Sequence, residues 1–507
     1  METRVSAREC WLVYLLGTLA AFVIMRFGFS PSSVSMHLRP EYDLNIYYLI
    51  GQGWMQGRLP YVELTDLKGP LVFLLHGAGS LLTPGRFLGA CLLEAPLVGL
   101  GLLFAYRTAR LFVSRSEALG VLGIYSVAIL YFSLHPAEIT WVLQQMALFW
   151  LARWVVDEGE PPAGVQLLLG FSLAVVLLAK YNQAVFWLPF CLWGVLAAGH
   201  YWWRAGFLQM LGAAVMLVPV LSYFYAHDAL RPLWHEYVEI AWQYGSAPWS
   251  ESMLGSLGWL LASELVPLHL HQALPEWLAA VIGWLTLLPC LLVPFFWRFR
   301  RVTPAFIVLL ISLAVSVYAA YCGSRRYIHY AFVFSVFWLP GLILFAAWKG
   351  RLVKWGGAAA LASVLAFAAG LPLVVQFLKP HNGNAEMKIV TQELVRELSQ
   401  GDKTDVVILD VEGALHLHRL TGTVPMGAHF IPSMVPGGYA QHREELSESI
   451  RKRSPRYAIG SVCNEKGDRE LLQNAPDRYR ALRHSDLNLP AFASFARRPE
   501  YILYVRE

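Results

Sequence analysis

Nothing constrains the fold of this 507-residue chain more than where its charges are missing. Residues 381–507 carry 34 charged side chains, about 27%, the proportion of an ordinary soluble domain. The preceding 380 residues carry 41, about 11%. Apolar runs of about 17 to 25 residues stand in their place, long enough to cross a hydrocarbon layer of ~30 Å. They fall at 10–29, 87–112, 118–134, 139–156, 164–179, 184–199, 205–226, 277–297, 304–322, 328–348 and 352–377. This pattern excludes a disordered chain, a collagen, a disulfide scaffold and a plain cytosolic enzyme. It predicts a polytopic α-helical membrane protein of about 11 spans, with a membrane part at 1–380 and a soluble part at 381–507.

Lys and Arg collect in cytoplasmic loops, which gives the spans a direction. The first run ends in Met25-Arg26-Phe27 without a small-residue cleavage site and is expected to be an anchor. With the N-terminus inside, the inner loops receive Arg107, Arg110 and Arg115, then Arg153, Arg204, the 298–301 cluster, and Lys349, Arg351 and Lys354. This register requires that 69–83 not cross. That stretch is too short for a span, and it is expected to be an interfacial helix in the first outer loop. The tail then lies outside. Its acidic and basic residues balance, so the net charge of +5 belongs to the membrane part and reports topology rather than affinity for nucleic acid. The six cysteines are scattered, without metal-site spacing.

Two outer segments are long, 30–86 and 227–276, and long connections in compact proteins are commonly functional. In the tail, the spacing predicts an amphipathic helix over 385–400 and strands at 406–409, 457–461, and 491–495 paired with 501–505. Helices alternating with strands point to a small C-terminal α/β extracytoplasmic domain.

The first outer loop reads Pro40-Glu41-Tyr42-Asp43-Leu44-Asn45-Ile46-Tyr47, then Gly57-Arg58-Leu59-Pro60-Tyr61, then Asp66-Leu67-Lys68-Gly69-Pro70-Leu71. In order and spacing this resembles the membrane glycosyltransferases of the GT-C class. Within it, the likeness is to the branch of protein O-mannosyltransferase-like and lipopolysaccharide sugar transferases. The likeness continues at Glu138, Lys180 and Arg325-Arg326-Tyr327-Ile328-His329-Tyr330. The resemblance implies a GT-C-like fold and transfer of a sugar from a polyprenyl-phosphate donor to an extracytoplasmic acceptor: lipid A, a glycan, a lipid or a protein. It also implies a bacterial inner membrane and a lipid-bilayer setting, with no nucleic acid partner.

Such chemistry needs a carboxylate to take the acceptor proton and cations at headgroup level for the phosphate. A general base must reach within about 3 Å of that proton. Asp43 is the expected base and Glu138 its companion, with Tyr47, Tyr61 and Asp66 expected at the substrate. Lys68, Lys180, Arg325 and Arg326 are the expected phosphate ligands, with Tyr327 and His329 adding hydrogen bonds. Each has a plainer reading: a helix-start carboxylate for Asp43 and Glu138, and snorkelling anchors for Lys180 and the arginines. Two adjacent arginines in an outer loop run against the usual charge bias and ask for a reason. A divalent metal cation is a further possibility, through His37, His76, His135, His269 or His271.

Two other functions fit a chain of this shape: a glycan polymerase or ligase using a polyprenyl-diphosphate donor, and a transporter or flippase. The second predicts charged pairs at mid-membrane and repeated halves. The ionisable residues gather instead at the outer ends of the spans, and the sequence has no internal repeat. The sidedness is directly testable. A tag fused after Glu507 is expected to be reached by protease added to intact spheroplasts, and protection of that tag would overturn the odd number of spans.

Overall fold

The structure, a computed structural model, describes residues 5–27, 43–132, 140–157, 159–245, 302–321, 335–348, 406–409, 415–419, 422–423, 425, 438–461, 465–473, 475–481 and 501–507. Nine of the eleven apolar runs coincide with helices among these residues. They are α1 (Ala7–Phe27), α4 (Leu88–Arg110), α5 (Arg115–Phe132), α6 (Thr140–Asp157), α7 (Ala163–Ala179), α8 (Trp187–Ala197), α9 (Trp202–Ala226), Val302–Tyr321 and Trp338–Trp348. The runs at 277–297 and 352–377 lie outside the described residues, as do the 385–400 helix and the 491–495 strand. By length and composition, two helical stretches among the described residues could each cross a bilayer, Leu88–Arg110 and Gly199–Ala226.

By contact the chain divides into two compact units, each assembled from three separated stretches. The first comprises Met1–Ser33, Cys91–Tyr223 and Gly245–Gln376. Its helices pack through small residues and polar side chains, the two devices that hold helices together where water supplies no hydrophobic push. Glycines make the closest approaches: a Cβ at Gly99 would collide with Thr18 of α1, one at Gly101 with the Trp141 ring of α6, and one at Gly212 with the Leu167 backbone of α7. Gln209 of α9 donates to Gln166 Oε1 (2.8 Å) and to the Cys191 carbonyl (3.0 Å), while Gln166 donates to the Gly194 carbonyl (2.8 Å).

Helix α9 shows what surrounds this unit. Its 25 residues span about 37 Å. Phe207, Met210, Val215 and Val218 are exposed along its length, with Tyr201, Trp202 and Trp203 exposed at one end and Tyr225 at the other. Apolar exposure bounded by two aromatic belts is the dress of a helix in lipid. At another point of the unit, Glu9 near the start of α1 accepts from the Tyr106 hydroxyl. The same carboxylate lies 3.8 Å from Arg110 Nε and 3.4 Å from Arg115 Nε. Two of the bases expected in one inner loop, Arg110 and Arg115, thus meet the start of the first helix.

The second unit comprises Val34–Ala90, Phe224–Tyr244 and Phe377–Glu507. These are parts of the two long outer segments together with the tail. It begins with a helical hairpin, α2 (Asp43–Met55) and α3 (Pro70–Leu82). The interfacial helix expected at 69–83 is thus observed as a helix, opened by Pro70 at its first position, where the missing N–H has no intrahelical partner to lose. Gly51 and Gly77 let the two helices meet backbone to backbone. A Cβ on Gly51 would strike the Phe73 carbonyl and the Gly77 amide, and one on Gly77 would stand 2.7 Å from the Gly51 carbonyl oxygen. The segment after α9 carries a π-helical turn, His235–Ile240, that turns Glu236, Tyr237 and Ile240 inward.

The tail strands form a four-stranded sheet ordered β1-β2-β4-β3, from β1 (Val406–Ile408), β2 (Tyr457–Ser461), β3 (Tyr479–Ala481) and β4 (Tyr501–Arg506). β1 runs parallel to β2, whereas β4 is antiparallel to both β2 and β3. Val407, Leu446, Ile450, Ala458, Leu471 and Tyr504 make its core. The expected strands at 406–409, 457–461 and 501–505 are present. The neighbours of β4 among the described residues are β2, a pairing the strand pattern does not anticipate, and the short β3, a strand it does not predict.

If the hairpin depends on the glycine contact, Gly51→Val should lower the melting temperature of the purified protein in detergent, corresponding to about 1–3 kcal/mol of overpacking. Gly206→Ala, at a helical position where an added Cβ meets open space, should not lower it. Equal melting of Gly51→Val and the unsubstituted protein would show that the hairpin tolerates separation.

Candidate functional site

The second unit brings together five of the expected residues, and α2 places the first two. Asp43 opens the helix and Tyr47 follows one turn on, so both lie on one face. The Tyr47 hydroxyl donates to Asp43 Oδ2 at 3.1 Å. A carboxylate in the first helical turn is also favoured by the helix dipole. Asp43 is partly exposed, whereas Tyr47 is fully buried.

The hairpin loop supplies the opposing charge. Lys68 sits two residues before α3, and its Nζ lies 5.6 Å from the centre of the Tyr47 ring. Burial holds the Tyr47 phenol well above its ordinary range. The negative charges of Asp43 and Asp66 push it the same way, while Lys68 pulls it down. The phenol is therefore a donor throughout the physiological range, and its proton is directed at Asp43. The Tyr61 hydroxyl donates to the Lys68 carbonyl at 2.7 Å and so fixes the loop that carries the ammonium. Tyr61 does this from a left-handed backbone conformation, φ 67°, rare for a bulky side chain and common where structure is held for function. Its own N–H bonds the Leu64 carbonyl at 2.8 Å, and its ring is enclosed by Phe73, Phe224 and Tyr237.

Asp66 is 5% exposed, with the backbone amides of Leu67 and Lys68 as hydrogen-bonding neighbours of its carboxylate. Burial raises its pKa; Lys68 opposes the shift and Asp43 adds to it. His76 is fully buried against the Tyr47 ring, 5.6 Å between centres, and its Nδ1–H donates to the Val72 carbonyl at 2.8 Å. Among the described residues no three His, Cys, Asp or Glu side chains converge as metal ligands. Of the histidines raised as possible ligands, His76 alone falls within them.

Lys180 belongs to the first unit. It caps the C-terminal end of α7, is buried, and precedes a 3₁₀ turn, Tyr181–Phe186, in which Gln183 accepts from Thr140 Oγ1 at 2.5 Å. Gln144, one turn along α6 from Thr140, is fully buried with no hydrogen bond to its amide among the described residues. Glu138, Arg325, Arg326, Tyr327, His329, His37, His135, His269 and His271 lie outside the described residues.

Two tail contacts were missed by sequence reasoning. Arg58 Nη1 donates to the Pro425 carbonyl at 2.7 Å, and Arg419 Nε donates to Asn45 Oδ1 at 2.9 Å. The available signal was modest: an arginine inside Leu415-His416-Leu417-His418-Arg419-Leu420, where three apolar neighbours argue for burial. His416 and His418 beside it are drawn down to about 3 by burial, helped by the positive charges of Arg419 near the former and Arg58 near the latter. Both are neutral wherever the protein would work.

Comparison with solved structures defines the class: the chain has the GT-C fold. The likeness is to ArnT from Cupriavidus metallidurans, in a crystal structure bound to undecaprenyl phosphate. It has a TM-score of 0.58 and covers 98% of each chain at 14% identity. The archaeal oligosaccharyltransferase of Archaeoglobus fulgidus is more distant. Its AglB complex with an inhibitory peptide and a dolichol-phosphate gives a TM-score of 0.45 at 11% identity over 92% of this chain and 71% of that one. Its apo form gives 0.48 at 13% over 94% and 72%. These two are too loose to carry an argument. No family model matches the sequence. No curated protein matches it either.

The burial of Asp66 has a measurable consequence. A carboxyl whose pKa is raised on folding contributes stability below its unfolded pKa and loses it as pH rises through the folded value. Asp66→Asn should therefore raise the melting temperature at pH 8, and the gain should vanish below about pH 3, where both states of the parent are protonated. A gain independent of pH, or a loss at pH 8, would show that Asp66 is ionised and well paired.

Proposed function

We propose that this chain is an inverting glycosyltransferase of the cell envelope, moving a sugar from a polyprenyl-phosphate donor to an extracytoplasmic acceptor. The observation that carries the reading is the Asp43–Tyr47–Lys68–Asp66 cluster, in which a partly exposed carboxylate shares a site with a single ammonium. The GT-C fold, shared with an ArnT structure holding undecaprenyl phosphate, supports it. Residues 1–380 form the catalytic membrane part and residues 381–507 the extracytoplasmic domain, with the N-terminus cytoplasmic.

In this reading an acceptor hydroxyl attacks the anomeric carbon as its proton passes to Asp43. The bond from that carbon to the phosphate oxygen breaks, and the electron pair leaves with polyprenyl phosphate. Attack opposite the leaving group inverts configuration. A phosphate departs without full protonation when cations receive its charge, so no second acid is required. Lys68 receives part of that charge, with Lys180, Arg325 and Arg326 as the further cations and Tyr327 and His329 as hydrogen-bond donors. Tyr47 donates to Asp43 and keeps one of its oxygens oriented while the acceptor approaches the carboxylate. Tyr61 holds the Lys68 loop, Asp66 tunes the ammonium, and Glu138 orients the acceptor. The resemblance of the first-loop sequence to the lipopolysaccharide and protein O-mannosyl branch supports an acceptor among lipid A, glycans, lipids and proteins.

A polymerase or ligase would use a diphosphate donor instead of a monophosphate. Native mass spectrometry of the purified protein with undecaprenyl phosphate and undecaprenyl diphosphate separates the two. The monophosphate should bind more tightly, and Lys68→Ala should weaken it at least tenfold. Asp43→Asn should retain binding within twofold yet lose at least 100-fold in release of sugar from undecaprenyl-phosphate-linked hexoses and pentoses. Preference for the diphosphate would favour the polymerase, and full turnover by Asp43→Asn would remove the base.

A further inference from the structure

Arg419 is the most deeply buried cation among the described residues, with no measurable exposure, and it stands in a tail turn remote in sequence from the membrane helices. A guanidinium buried this far must be held at several points, because an unpartnered buried charge is among the costliest groups a protein can contain. Three groups in or beside the first outer segment hold it. Nε donates to Asn45 Oδ1 at 2.9 Å, Nη1 donates to the Gly85 carbonyl at 2.7 Å, and the guanidinium carbon lies 4.1 Å from the centre of the Phe87 ring. Gly85 in turn donates its N–H to the Tyr48 hydroxyl at 2.6 Å, and Tyr48 meets Phe87 edge to face.

The helical geometry makes this arrangement functional in character. Successive side chains on a helix turn by about 100°. Asp43 and Tyr47 share one face of α2. Asn45 and Tyr48 fall on roughly the opposite face of the same turn. Arg419 therefore grips the back of the turn whose front presents the carboxylate. That turn is also the one least able to hold itself, since the first four N–H groups of any helix lack intrahelical acceptors. The grip requires an arginine: a planar fork forms two directed hydrogen bonds while its face lies on an aromatic ring, and a lysine provides neither the fork nor the plane.

We propose that Arg419 is a positioning residue for sugar transfer, by which the tail pins the first turn of α2 from behind and keeps Asp43 and Tyr47 aimed at the acceptor. The proposal rests on the transferase reading for its effect on turnover and on the structure alone for the pin.

The test uses the full chain in detergent–lipid micelles, with Arg419→Ala, the milder Asn45→Ala, and Arg443→Ala as a control at an exposed tail arginine. Hydrogen exchange is read at amides 47–50, which donate to the carbonyls of the first turn, and at 457–461 in the tail sheet. Arg419→Ala should raise exchange at 47–50 at least tenfold and leave 457–461 within twofold. Asn45→Ala should act at the same amides, and the double variant should be no worse than Arg419→Ala. Turnover of undecaprenyl-phosphate-linked sugar should fall at least tenfold at unchanged donor KM, and Arg419→Lys should recover part of it. If Arg419→Ala does not fold, Asn45→Ala decides. Exchange and turnover within twofold of the parent in a folded variant would overturn the pin. Absence of turnover in the parent, with exchange at 47–50 rising as stated, would sink the transferase reading and leave the pin standing.

Discussion

The contact of Gly51 with Gly77 is the constraint on which the rest of the site depends. Two helices joined by a loop of fourteen residues could pack at many angles, and only glycine at both positions allows the backbones to touch. Once they do, the loop has little slack. Its Pro60-Tyr61 corner is forced into a left-handed turn, and Tyr61 reaches across to hold the Lys68 carbonyl. Lys68 then lies by the Tyr47 ring, and Tyr47 already holds Asp43. A helix contact made of hydrogen atoms thus fixes the separation of a carboxylate and an ammonium several residues away on each side.

In the proposed transfer the cluster has to receive a phosphate, and its electrostatics bear on that step. Lys68 has two carboxylates for neighbours, and a fully ionised trio would carry a net negative charge that repels an anionic donor. Burial of Asp66 works against that outcome by favouring its protonated form. The phenol of Tyr47 is likewise kept neutral, because ionising it would place another negative charge between Asp43 and Asp66. Under the proposed reading this leaves Asp43 and Lys68 as the working pair, with the Tyr47 phenol bonded to the carboxylate. That is the polarity a displacement at an anomeric carbon needs: a base on the acceptor side and a cation on the leaving-group side.

Much of this was legible in the sequence, and the rest was not for identifiable reasons. Absence of charge over long runs announces helices in lipid, because no other residue pattern satisfies the backbone there. The stretch 69–83 could be separated from the spans by its length, and Pro70 marks its start. Asp43, Tyr47 and Lys68 were visible because helix spacing and motif order are one-dimensional properties. The position of β4 between β2 and β3 was not, since three residues at 479–481 carry too little alternation to read as a strand. Arg419 was hidden for a different reason. Its partners, Asn45 and Gly85, are 374 and 334 residues away, and no local pattern encodes a contact of that range.

That distance along the chain bears on how the site is completed. Closing a longer loop adds entropy only logarithmically, so a partner several hundred residues away costs little more to bring back than one at a tenth the distance. Timing is what changes. Domains form in the order in which they are synthesised, and α2 and α3 emerge long before the turn that carries Arg419. Until then the first turn of α2 lacks the contact that Arg419 makes with Asn45 on its back face. Under the proposed reading, the carboxylate is held in its working direction only after the tail has folded. A buried arginine suits that purpose better than an apolar plug of the same size. Its hydrogen bonds have one geometry, and a tail that docks wrongly leaves the charge unpaired and is expelled.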